Sequence, residues 1–302
     1  MKKNDPYYDT EIISLWELFA VIWAGKVKVF AITAVFALAS VMYALSIADQ
    51  YKATTLLVPV QSSTDGLSGA LGRLGGLASL AGVNIGDSGG VSEVKIAQEI
   101  MVSRNFIENF IEKNNLAFEL AAIKEWDKET QSLLINNEIY DVENKKWVVE
   151  NGRPSSWSLF KTFSGMIEIK NTESGLTSVS ISSLSPQLAK RFLDLYIAAI
   201  NAHMGERRVA KATININYLE AQIEKAATVT TQSAIFSIIE EQLKSKMLAE
   251  ASPNYVFDPI NPIMAPEKKF APNRALICIT VTLMGVMLSI LFLLLMHFYR
   301  KE

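Results

Sequence analysis

One cysteine and two histidines are the only thiol and imidazole groups in 302 residues. A disulfide within one chain is excluded, and a Cys/His zinc site has too few ligands. A general base needs an oriented partner. His203 has no cysteine or second histidine near it in the sequence, so we read it as a surface residue of a solvated helix. Cys278 and His297 fall inside an apolar block, where lipid-facing and interfacial roles are the default. Glu240-Glu241 project about 100° apart on a helix and cannot face each other as an acid/base pair. Gly72-Arg73-Leu74-Gly75 lacks the Lys-Ser/Thr of a P-loop, and no acid placed for a ribose follows it. Glycoside hydrolysis needs two carboxylates converging across a cleft, and no spacing selects such a pair. The expectation is a chain with no catalytic residue, no cofactor and no metal. Arg207, Arg208 and Lys211 form a basic cluster, read either as a plain surface or as a partner for acids of a neighbouring subunit.

The elements that place these residues are set by two apolar blocks. Residues 29–48, VFAITAVFALASVMYALSIA, carry no charge, and residues 275–298 carry no Lys, Arg, Asp or Glu. About twenty apolar residues span a bilayer as a helix, so both qualify. A cleaved signal peptide is the alternative for the first block. The long acidic and apolar lead, residues 1–28, speaks against it. Lys26 and Lys28 before the first block, and Arg300 and Lys301 after the second, put both termini in the cytoplasm. Residues 49–274 are then extracytoplasmic, with a net charge of −3, and residues 299–302 form a cytoplasmic tail. The overall charge of −2 offers nothing to nucleic acid. Ser40, Ala44 and Ala48 make a small-xxx-small row in the first block, a pattern that lets helices approach closely.

The outer segment reads as α+β. Tyr51–Val60 is rich in β-branched residues and reads as a strand. Nine of the 15 glycines follow between residues 66 and 90, among apolar residues; they read as a packing segment or as a contact to a partner. Residues 92–113 read as one amphipathic helix, and 116–128 as another. Residues 136–149 fit neither pattern clearly. Met166–Lys170 and Leu176–Ser182 read as a hairpin turning at Glu173-Ser174-Gly175. Ser185-Pro186 opens a long helical pattern reaching about residue 251. Unbroken, it would extend roughly 100 Å. Gly205 and residues 228–231 are points where it can divide into two or three helices. Such an arm needs neighbouring helices to cover its apolar stripe. Residues 253–274 hold five of the nine prolines and read as a stiff extended return. Within it, Tyr255–Asp258 can add a strand to the sheet.

The order of these parts resembles the polysaccharide co-polymerases, the Wzz-type chain length determinants of Gram-negative inner membranes. The resemblance rests on ISLWELFAVIWAGKVKVF, YKATTLLVPV, LGRLGGLASLAGVNIG, the helix opened by SPQLAK, and APEKKFAPNRALI before the second block. Pro266, Pro272 and Arg274 fall where the family's proline-rich signature falls. Some members carry a cytoplasmic kinase after the second span, whereas four residues follow it here, which points to the kinase-free branch. The resemblance implies a membrane-proximal α/β domain with a helical arm in the periplasm. It also implies a homo-oligomer that catalyses nothing itself. Its partners would be the integral-membrane O-antigen polymerase and a lipid-linked polysaccharide, whose modal length it would set. A capsule or exopolysaccharide role, a two-span sensor and a periplasmic glycan enzyme are the competing expectations.

Overall fold

The computed structural model describes residues 16, 23–60, 92–148, 152–226 and 228–301. The glycine-rich stretch lies outside the described residues, as does the lead before residue 23 apart from Trp16. The fold is α+β, in two units: residues 1–49 with 270–302, and residues 50–269.

In the larger unit, alternation builds a sheet. In β1 (Tyr51–Pro59), Tyr51, Ala53, Thr55 and Leu57 are buried on one face. β6 (Ile167–Asn171) and β7 (Thr177–Ser183) form the expected hairpin, in register from Ile167↔Ile181 to Asn171↔Thr177. Gly175 turns it at φ +78°, a left-handed conformation that side chains rarely adopt. β7 pairs antiparallel with β1 from Tyr51↔Ser183 to Leu57↔Thr177. β8 (Phe257–Pro259) joins the other edge of β1, giving the order β6-β7-β1-β8. The proline-rich return does therefore supply a strand. On the outer face Lys52 reaches across β7 to Glu168, which also pairs with Lys170. Lys170 first, then Lys52, hold the Glu168 carboxyl down at about 2.

The helices depart from the expected pattern in two places. Residues 92–113 are two helices, α2 (Glu93–Val102) and α3 (Arg104–Lys113). Ser103 sits between them in extended conformation; its Oγ donates to the Ile100 carbonyl and accepts from the Phe106 N–H at 3.4 Å. A serine that satisfies the backbone with its side chain interrupts an otherwise continuous apolar stripe. Residues 116–128 form only one helical turn, α4 (Ala117–Ala121), before β2 (Ile123–Asp127) pairs with β3 (Ser132–Ile135). Asp127 accepts from the Glu129 N–H at 2.9 Å and shapes that turn. Residues 136–149 contain β4 (Tyr140–Asp141) and β5 (Lys146–Trp147), where Tyr140 packs edge-on against Phe118 and Trp147.

The arm divides at the second of its two expected points. After α5 (Ser156–Met166), Ser185 caps α6 (Pro186–Ile223), its Oγ accepting from the Leu188 N–H at 3.2 Å. The pattern then divides once, and α7 (Val229–Ala251) begins at a Thr228 cap. The two helices run back to back: Arg208 meets Ser245, and Asn215 meets Gln242. Gly205 does not break α6; a Cβ there would lie 3.5 Å from the Ala249 carbonyl. The arm is thus a helical hairpin, whose longer limb of 38 residues spans about 57 Å.

The core lies between the sheet and the first half of α6. Phe110, Phe163 and Tyr196 meet with ring centroids 5.1 to 5.5 Å apart. The Tyr196 hydroxyl donates to the Met101 carbonyl, and burial pushes it well above the usual phenol range.

In the smaller unit, α1 (Lys26–Ser46) and α8 (Arg274–Lys301) lie antiparallel. Both are long and apolar enough to cross a membrane. A Cβ on Gly285 would come 2.7 Å from the Phe36 Cβ, and one on Gly25 1.9 Å from Leu293. These glycines are where the backbones close in.

Candidate functional site

The signature residues before α8 do unequal things. Pro266 and Pro272 lie outside helices and strands. Asn273 caps α8, accepting from the Leu276 N–H at 3.3 Å. Arg274, the first helical residue, makes the specific contacts. Its Nε donates to the Ala44 carbonyl at 3.2 Å, and its Nη2 to Asp49 at 2.9 Å. The last turn of a helix leaves carbonyls without partners and carries partial negative charge. A guanidinium there satisfies one carbonyl and complements the dipole, while Asp49 balances its own charge. Arg274 thus fastens the end of α1 to the start of α8.

Of the small-residue row, Ser40 and Ala44 are almost wholly buried, and Ser40 bonds back to the Ala37 carbonyl at 2.7 Å. Ala48 lies past the end of α1 and half-buried, so the row is two residues long on the helix.

The basic cluster divides. Arg208 turns inward, bonding Ser245 at 2.7 Å and approaching Glu93 at 3.9 Å. Glu93 in turn accepts from the Tyr255 hydroxyl at 3.1 Å. Burial first, then the Glu93 charge, push that phenol up to about 12. Arg207 and Lys211 stay exposed one turn apart, so two cations rather than three face outward. His203 is not on a solvated face: it is half-buried, its ring 5.5 Å from Phe106. Glu240 and Glu241 are exposed and part of no site, and Cys278 is half-buried in α8. Among the described residues, no three His, Cys, Asp or Glu side chains could hold one metal ion.

Asn201 was not foreseen. It is 1% exposed in the middle of the α6 stripe. Its Oδ1 accepts from the Val256 and Phe257 N–H groups at 3.0 and 2.9 Å, and its Nδ2 donates to the Phe257 carbonyl at 2.8 Å. One amide thereby fixes the proline-rich return as it enters the sheet. An asparagine among Ile197, Ile200 and Met204 was the available signal.

Together these groups position chain segments; none is a cleft with converging acids. Comparison with known proteins bears on what is being positioned. Residues 11–114 match the family model described as chain length determinant protein, Wzz. A solved full-length bacterial polysaccharide co-polymerase is 13% identical, with 96% of this chain and 99% of that one covered and a TM-score of 0.40. A fragment of WzzB, a polysaccharide co-polymerase from Salmonella Typhimurium, is also 13% identical, with 74% and 100% covered and a TM-score of 0.30. No curated protein matches the chain.

Proposed function

We propose, from the match of residues 11–114 to the Wzz chain length determinant family model, that the protein regulates the length of lipopolysaccharide O-antigen. It is a non-catalytic homo-oligomeric scaffold of a Gram-negative inner membrane. Both termini are cytoplasmic, and residues 50–269 stand in the periplasm. It sets the modal number of repeat units that the integral-membrane polymerase adds to a lipid-linked glycan.

The observation that carries this reading is the joining of the Wzz segment to a second membrane-length helix. That helix is held back against the first by Arg274. The basic cluster, reduced to Arg207 and Lys211, and the uncovered apolar side of the α6–α7 hairpin are the surfaces we assign to contacts between subunits.

The test is a lipopolysaccharide gel of a deletion strain beside its complemented parent. Collapse of a preferred band cluster into a random ladder, restored on complementation, is the expected result. An unchanged ladder refutes the O-antigen role and transfers the reading to a capsule, exopolysaccharide or other lipid-linked polymer.

A further inference from the structure

Within the larger unit, an open cavity of about 210 Å³ lies between α4, the last turn of α5, the end of β7 and the first turn of α6. Gln50, Glu119, Thr162, Ser182 and Ser183 supply its polar groups, and Ile123, Met166 and Leu188 are among its apolar walls.

Three features set it apart from a packing defect. First, among the described residues no hydrogen bond joins the side chains of Gln50, Thr162, Ser182 or Ser183 to another residue. Gln50 and Thr162 are exposed and Ser183 is 6% exposed, its unbonded hydroxyl being among the atoms that solvent reaches. These four polar side chains are thus open to whatever enters the cavity. Second, Glu119 accepts from Arg191 at 3.0 Å through one carboxylate oxygen, which balances its charge and leaves the other oxygen as an acceptor. Third, Gly165 borders the cavity near the end of α5, and a Cβ built on it meets nothing within 4 Å. This border therefore has room for a larger side chain.

The chemistry selects a ligand class. An amide and three hydroxyls each donate and accept, so they suit a ligand that does both. The one carboxylate and the lack of an uncommitted cation among the lining residues disfavour phosphate. Apolar walls between polar groups match a ring with hydroxyl edges and C–H faces. The volume lies below the range of about 300–1,000 Å³ typical of drug-sized ligands, enough for a single ring. We propose that this cavity binds one uncharged sugar unit. The proposal rests on the glycan reading above and names the site where the chain would hold the polymer.

Saturation-transfer NMR of the full chain in nanodiscs tests it, with glucose, galactose, N-acetylglucosamine and rhamnose each added alone and inorganic pyrophosphate as the phosphate arm. At least one sugar is expected to receive saturation from the native protein and from Gly165→Ala. Gly165→Trp, which fills the border, and Ser183→Ala, which removes the cavity hydroxyl, should each weaken binding about tenfold or more, the equivalent of one or two hydrogen bonds. Far-UV circular dichroism checks that both variants fold. Saturation of none of the four sugars overturns the proposal, as does equal saturation of the native and Gly165→Trp proteins. Displacement of the sugar by pyrophosphate overturns the choice of ligand. Failure here alongside a ladder altered by deletion leaves length regulation standing. Sugar binding alongside an unchanged ladder removes the O-antigen role alone.

Discussion

The two ends of the α6–α7 hairpin carry similar apolar spacing and meet different fates. From Leu188 to Met204, the stripe of α6 is covered by the sheet, α2 and the aromatic cluster around Phe163. Farther out, Ile214 is 69% exposed and Tyr218 and Leu243 stand open, while Phe236 on α7 is 57% exposed. An exposed row of this size on paired helices fits the subunit-contact surface proposed above. Equal periodicity therefore means core at one end and exposed surface at the other. What separates them is the presence of β1, β7 and β8 under the first half.

The sharpest way to break this contrast is at Asn201. Asn201→Leu strands two buried N–H groups and one carbonyl. It should cost about 3 kcal/mol or more, read as a lower denaturation midpoint of the full chain. Tyr196→Phe removes one buried hydroxyl and leaves the Met101 carbonyl without that donor; about 1–2 kcal/mol is expected in the same measurement.

Acid sharpens the comparison on the outer face of the sheet. Glu168 has its folded-state carboxyl held near 2, below the ordinary 4.5. Its contribution is complete above about pH 4.5 and is lost as pH falls through about 2. Native protein should therefore lose its stability advantage over Glu168→Gln across that window. Equal acid titrations of the two would refute the pairing with Lys52 and Lys170. At the far end of the hairpin, Phe236→Ser should leave unfolding within about 0.5 kcal/mol of native. Its effect should appear instead in chemical crosslinking between copies.

Much of the sheet was legible because its signals are local. Alternation in residues 51–59, the Gly175 turn and the Ser185-Pro186 cap each act within a few residues. The misread helix at 116–128 had the opposite character. Ile123–Asp127 becomes a strand only because Ser132–Ile135 returns to pair with it. Ser103 was visible, yet its two bonds to the backbone, not its polarity, divide the helix. The site was less legible still. Asn201 clamps a segment more than fifty residues away, Arg208 is drawn inward by Glu93 from a different helix, and the cavity gathers residues from Gln50 to Leu188. Such groupings depend on which distant segments meet, and no spacing within one segment encodes that.

The Arg274 clasp also has a consequence for the unfolded chain. With α1 and α8 fastened together, residues 50–269 form a closed ring even when their own structure is lost. A chain of that length gives up roughly 5 kcal/mol of conformational freedom when its ends are joined. In the native protein that cost is met by the helix pair. The larger unit released from its two helices would carry the cost itself. Its stability is in this sense borrowed from the helix pair.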